Sequence, residues 1–273
     1  MGSPGYWGVP TSDMDFCEPN YETSHYVAEF WNTVSSIPVV LTGLSGIVLC
    51  RMQKLGAEQM LCYGLIATIG LGSVAFHATL LRTGQVLDEC PMLWATLSLV
   101  YCAYHHRHDR RLRHCVEGKA SARLALIGGA LGTYGVTATL LYFTSGFGFF
   151  IVAYAASVVV LVILAASILF AERPAVGAEP KKLLTIAACT YGGGVLLLWL
   201  PGELLCHHVP LFQRVPMHAF FHLTSAAGPH LGLTAFALAR FDTEQHTAAR
   251  SSLQFAGLPA IDRGGWQAVR KVV

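Results

Sequence analysis

Six stretches of this chain run for seventeen residues or more without an Asp, Glu, Lys or Arg: residues 30–50, 59–81, 90–106, 124–171, 183–202 and 215–239. A bilayer core takes roughly 20 apolar residues per spanning helix, because inside it every backbone group must find its partner within the protein. Five windows fit one helix each. The window 124–171 is far too long for one, and residues 142–148 (YFTSGFG) interrupt it with two glycines and aromatics. It is expected to form two helices joined by a tight turn. The count predicts an all-α, multi-pass membrane protein, a bundle of seven transmembrane helices. Composition points the same way: 53% of residues are hydrophobic and 12% charged, about half the charge of a soluble domain. A soluble chain of this length would still need a polar shell. Collagen, disulfide-rich secreted domains and disordered segments are excluded by the same figures.

Short cytosolic loops collect Lys and Arg, and that bias orients the bundle. Residues 1–29 have none, and carry Asp13, Asp15, Glu18, Glu22 and Glu29. With this end outside, sixteen of the eighteen basic residues fall on the inner side, leaving Arg82 and Arg214 outside. The N-terminus is therefore expected in the lumen or exterior and the C-terminus in the cytosol. No apolar core of a cleavable signal precedes residue 30, so the first helix is expected to serve as the targeting signal. Three parts result: an acidic lumenal segment (1–29), a seven-helix domain (30–240) and a flexible cytosolic tail (241–273). A net charge of +2 gives no reason to invoke nucleic acid, and no protein partner is specified.

Ionisable groups inside a bilayer are costly and default to function. Ser73-Val-Ala-Phe-His77 and His218-Ala-Phe-Phe-His222 each place two polar side chains four apart, on one helix face. Asp88-Glu89 stands where the third window begins. His77 is four residues from the outer end of its window, about 6 Å at 1.5 Å per residue, and His218 is three residues into the last window. All three clusters thus lie at similar depth near one membrane face and can converge. Three histidines with one position left for water suit a catalytic zinc, which brings the pKa of that water to about 7. Asp88 is then the natural proton acceptor and shuttle, and Ser73 a donor to a developing oxyanion. A site entered from lipid implies a lipid substrate, with hydrolysis of an amide or ester beside its headgroup. A lone intramembrane His is often only bonded to a neighbouring helix; here the combination of clusters favours the metal. His105, His106, His108, His207 and His208 read as solvated loop residues. His230 is turned about 80° from the His222 face, as suits packing rather than ligation.

Asp15-Phe-Cys-Glu18-Pro-Asn20 gathers three oxygen-bearing side chains in six residues, with Glu29 following at the mouth of the first helix. Calcium takes six to eight such oxygens. The spacing is not that of an EF-hand, and it reads equally as a solvated acidic segment. Of the eight cysteines, Cys17, Cys90 and Cys206 lie near the oxidising face. A Cys17–Cys206 link would tie the N-terminal segment to the loop before the last helix, but spacing leaves connectivity open.

Together these residues resemble the alkaline ceramidase family. The likeness begins at Gly5-Tyr-Trp-Gly, runs through Asp15-Phe-Cys-Glu-Pro-Asn-Tyr21 and is strong at Ala28-Glu-Phe-Trp-Asn-Thr-Val34. It resumes at Gly72-Ser-Val-Ala-Phe-His-Ala-Thr-Leu80 and Gly84-Gln-Val-Leu-Asp-Glu89, then at residues 199–206 and His218-Ala-Phe-Phe-His222. The resemblance implies a seven-helix zinc amidohydrolase of the endoplasmic reticulum or Golgi membrane that cleaves ceramide to a sphingoid base and a free fatty acid. It implies His77, His218 and His222 as zinc ligands, Asp88 for proton transfer and Ser73 for the oxyanion. It also implies calcium on Asp15, the Phe16 carbonyl, Glu18, Asn20 and Glu29, and a disulfide between Cys17 and Cys206.

There are departures. Phe16 replaces a frequent Trp, and Pro19 removes an amide donor from the acidic loop. The acidic residue three after Trp199 is absent; Gly202 stands there and Glu203 follows. The SxxxH and HxxxH pattern recurs in a wider superfamily that includes adiponectin-receptor-like proteins, for which the N-terminus is expected inside, and a lipase that remodels glycolipid anchors. Two alternatives follow: a zinc-dependent lipase cleaving a glycerolipid ester, and a non-enzymatic seven-helix receptor whose histidines only pack.

Overall fold

The computed structural model of the chain describes residues 5–112, 117–170, 178–206, 208, 209, 212, 215–245, 250–254 and 258–262. Cys115, Arg173, His207 and Arg214, and the side chains of His106 and His108, lie outside the described residues.

Each apolar window folds into helix. The helices are α1 (Phe30–Met52), α2 (Ala57–Thr79), α3 (Arg82–Leu112), α4 (Glu117–Leu169), α5 (Ala178–Gly194), α6 (Leu200–Leu205) and α7 (Met217–Gln245). One π-helical turn, Val195–Trp199, joins α5 to α6, so the three run as one rod. Among the described residues, five segments are long and apolar enough to cross a membrane: Phe30–Met52, Ala57–Thr79, Arg82–His105, Ala122–Leu169 and Ala178–Leu205. The chain is a membrane protein. The 48-residue segment is more than twice what one crossing needs. It breaks at Gly146, whose φ of +74° and ψ of −166° are open only to a residue without a Cβ. The break falls inside residues 142–148, where the glycines and aromatics predict a turn.

α1 packs on α2, α2 on α3 and α3 on α4, while α7 closes back onto α1 and takes α5 on its far side. Close to half of each apolar window in α1, α2 and α3 is buried, against 17% in Ala122–Leu169. Leu126, Leu140 and Val162 on α4 are 72%, 62% and 59% exposed. In water such a surface would drive aggregation; against acyl chains it costs nothing. The inner helices therefore hold the polar chemistry, and α4 faces lipid.

Where α2 ends, Leu80 adopts the left-handed conformation (φ +52°) and is fully buried, and α3 starts two residues later. The N-terminal segment folds over this corner. Thr11 and Ser12 N–H donate to the Leu80 carbonyl (3.0 and 3.1 Å), and Ala28 and Glu29 N–H to the carbonyls of Ala78 and His77 (2.9 Å each). Phe16, Ala28, Phe76 and Leu80 form a small apolar core beneath it. Cys17 and Cys206 lie at disulfide distance, with Cα atoms 6.2 Å apart, which fastens the segment to the end of α6. Within the stretch 241–273, expected to be a flexible tail, Arg250–Gln254 pairs antiparallel with Leu258–Asp262. This ribbon is the one pair of strands among the described residues, whose other regular elements are helices.

Candidate metal centre

The i,i+4 spacings deliver what they predict locally: α2 turns Ser73 and His77 inward, and α7 does the same for His218 and His222. Packing of α7 on α1, and of α1 on α2, brings the three imidazoles together. One nitrogen from each lies within 4.8 Å of the others, and all three rings are buried. Among the described residues this is the one such cluster of His, Cys, Asp or Glu. Ring centroids are 5.1 Å apart for His77–His218 and His77–His222 and 4.6 Å for His218–His222. Phe16 stacks on His218 at 3.9 Å, so the N-terminal segment forms one wall.

Hydrogen bonding fixes the tautomers of two rings. His77 gives its Nδ1 proton to the buried Glu29 carboxylate, leaving Nε2 as an acceptor with no partner in a fully buried position. His222 Nδ1 lies 2.8 Å from Ser35 Oγ and 3.3 Å from Ser36 Oγ. Both hydroxyls already donate to the Asn32 carbonyl (3.0 and 2.7 Å), so each can only accept from the ring. The proton therefore sits on His222 Nδ1, and its Nε2 lone pair is free. His218 Nδ1 is buried without a hydrogen bond. Two buried imidazole nitrogens without a partner, His77 Nε2 and His218 Nδ1, form an expensive arrangement that a cation bound among the three rings would relieve.

Ser73 lies at the edge of the cluster, its Oγ 2.9 Å from Ser36 Oγ. Because the Ser36 proton goes to Asn32, Ser73 donates to Ser36. Asp88 is buried on α3, and its placement depends on Gly72. A Cβ at Gly72 would run into the Leu87 carbonyl and the Asp88 amide, so the missing side chain lets the α3 backbone touch α2 one residue from Ser73. Next to it, Glu89 accepts from Gln85 Nε2 (2.9 Å) and from the Tyr142 hydroxyl. Arg82 donates to Asp13 (2.7 Å), Gln85 (3.0 Å) and Tyr142 (2.9 Å), and Phe147 N–H reaches Asp13 (3.1 Å). This network holds the N-terminal segment, the start of α3 and the break in α4 together.

The acidic segment lies directly above. Asp15 and Asn20 are bonded side chain to side chain (2.8 Å), and Asp15 also reaches Glu29. Glu18 spends its oxygens on the first N–H groups of α1, at Trp31 (2.6 Å) and Asn32 (2.9 Å), where a helix start favours a carboxylate. The Phe16 carbonyl accepts from Glu18 N–H (2.6 Å). Burial pushes the Glu29 carboxyl up to about 7, against the opposing pull of the Phe16 N–H bond. Burial likewise raises Glu18, partly offset by its two helix-start bonds. Glu29, read from sequence as a calcium ligand, also supports His77. Sequence reasoning missed that contact, because the two are 48 positions apart and no periodicity links them. It also missed Asn32, Ser35 and Ser36, although polar side chains in an apolar window were a usable signal. His230 sits elsewhere in the core, 2.9 Å from Tyr63 Oη.

A buried three-histidine cluster, with Ser73 reaching its edge through Ser36 and the Asp88 backbone packed on Gly72 one residue from Ser73, defines a candidate metal centre. The chain belongs to the Ceramidase family, whose model matches residues 8–262. It is 30% identical over 237 residues to alkaline ceramidase 3 of Mus musculus, covering 83% of each protein. It is also 30% identical over 255 residues to a putative alkaline ceramidase of Dictyostelium discoideum, covering 82% of this chain and 85% of that one. An alkaline ceramidase of Saccharomyces cerevisiae is 40% identical over 95 residues, 34% of this chain and 29% of the yeast protein.

Proposed function

We propose that this chain hydrolyses the amide bond of ceramide, releasing a sphingoid base and a free fatty acid, at a zinc ion held by His77, His218 and His222. The observation that carries the reading is the buried Nε2 of His77, an acceptor with no partner, beside two further imidazoles. The donor set fits zinc, which favours three neutral imidazoles and an open position. When bound, zinc supplies a water acidified to about pKa 7 and a Lewis acid for the amide carbonyl.

The chain's own residues do the rest. Glu29 holds the His77 ring through Nδ1, and Ser35 and Ser36 hold His222 in the same way. Ser73 turns its hydroxyl from Ser36 to the amide oxygen as negative charge grows there. Asp88 takes the proton freed as water adds to the acyl carbon, and returns it to the amide nitrogen as the C–N bond breaks. Burial of His77, His218, His222, Ser73 and Asp88 keeps bulk water from competing.

Further elements of the reading rest on charge, spacing and likeness. Asp15, the Phe16 carbonyl, Glu18, Asn20 and Glu29 offer hard oxygens suited to calcium, which would clamp the acidic segment over the centre. The helices cross seven times, counting two passes in α4 on either side of Gly146 and one in α7, with the N-terminus lumenal and the C-terminus cytosolic. The membrane is that of the endoplasmic reticulum or Golgi.

The test is sphingoid-base release from ceramide at alkaline pH by the detergent-purified full chain, against its His218→Ala variant. Release by the parent and none by a folded variant supports the reading. A folded parent inactive across acyl-chain lengths with calcium and zinc supplied overturns it, and release of fatty acid from glycerolipid esters instead would make the chain a lipase.

A further inference from the structure

Two of the three imidazoles are steered by a buried partner on Nδ1: the Glu29 carboxylate for His77, and the Ser35 and Ser36 hydroxyls for His222. His218 lacks such a bond. Its Nδ1 is buried with no hydrogen-bond partner, and the charged group beside it is Glu203, with Oε1 3.8 Å away. Neither side chain is far into solvent, at 9% and 14% exposure. Phe16 stacks on the ring from one side and fixes its plane, but an apolar face cannot choose which nitrogen carries the proton.

The backbone explains why the carboxylate comes from position 203. Gly202 is buried where α6 meets the start of α7, and a Cβ there would stand 3.1 Å from the Met217 Cβ. One position on, about 100° further round the helix, Glu203 lines the same cleft of about 280 Å³ as His218, Phe16 and Met217. Glu203 is not part of the cluster whose ligand atoms lie within 4.8 Å of one another. It approaches His218 from outside that cluster.

We propose that Glu203 is a positioning residue: it accepts a hydrogen bond from His218 Nδ1–H, and so presents Nε2 of that ring to the metal. The inference rests on the zinc reading and completes it, giving each ligand its own orienting acceptor. Partners of this kind raise ligand basicity and typically carry a ten- to hundred-fold share of metal affinity. Bonds of this kind are often long before the site is loaded, as the 3.8 Å separation is here.

The experiment uses the detergent-purified full chain, with zinc affinity read by chelator competition, calcium content measured alongside, and thermal unfolding followed in the metal-free state. Glu203→Ala should weaken zinc binding about ten- to hundred-fold. Glu203→Gln, which keeps an acceptor oxygen but not the charge, should fall between it and the parent. Metal-free unfolding and calcium content should stay at parental values. Parental zinc affinity in Glu203→Ala overturns the proposal. So does a loss that appears as calcium release, or as an equal fall in metal-free stability. If the alanine variant does not fold, the near-isosteric glutamine variant decides, and parental zinc affinity there overturns it. A folded parent that binds no zinc overturns the zinc reading itself, which separates the two failures.

Discussion

Glu29 N–H donates to the His77 carbonyl while the Glu29 carboxylate takes the proton of His77 Nδ1, so one residue grips another at both backbone and ring. The double contact places the residue just before α1 beside the three-histidine cluster. Glu29→Gln keeps the shape but loses the charge that makes His77 a strong donor. It should lower zinc affinity about ten- to hundred-fold, read by chelator competition, with helix content by circular dichroism unchanged. Equal affinity would show that the carboxylate does not support the ligand.

Ser73 makes a test of the chemistry apart from the metal. Its hydroxyl touches Ser36 and stands apart from the three-histidine set. Ser73→Ala should retain stoichiometric zinc, yet lower kcat about a hundred- to a thousand-fold with little change in KM, the usual cost of one oxyanion donor. Loss of zinc from this variant would place the serine in the structure of the site instead.

Gly72 tests the link between helix packing and Asp88. Valine there must force the Leu87 carbonyl and Asp88 amide away from α2. Overpacking of this kind costs about 1–3 kcal/mol, and the displaced Asp88 should cut turnover further than the fall in stability explains. Thermal unfolding and activity at a temperature where the variant stays folded separate the two effects. Parental turnover would mean that Asp88 needs no fixed distance from Ser73.

The Cys17–Cys206 pair joins positions 189 apart in sequence. Replacing either with Ser should destabilise the protein by about 2–5 kcal/mol, seen as a lower unfolding temperature, and should loosen the acidic segment enough to expose residues 5–29 to protease. Protease resistance equal to the parent's would show that the hydrogen bonds to Leu80, His77 and Ala78 hold the segment alone.

Much of this arrangement is legible in the residues. Charge-free windows locate the helices, because desolvating a charge in lipid is costly enough to leave a clear mark. The i,i+4 pairs at Ser73–His77 and His218–His222 name the facing side chains, and the glycines and aromatics of 142–148 foretell the break at Gly146. What stays hidden is relational. That Glu29 meets His77, that Ser35 and Ser36 bond His222 Nδ1, and that Gly72 lets the Asp88 backbone pack on α2 all depend on which helix packs on which. Local periodicity carries no information about such pairings. The ribbon at 250–262 is hidden for another reason: its strands are five residues each, one mostly polar and one apolar with a proline, and neither shows the alternation that would announce it.

The segment folded over the α2–α3 corner ties the residues before α1 to those just before α7. Glu29, which supports one imidazole, is made early in synthesis; the other two imidazoles arrive with the final helix, after Cys206. A chain that stops before α7 thus holds one of the three histidines, and the cluster cannot assemble until α7 has packed on α1. Docking of α7 and assembly of the three-histidine cluster become the same event.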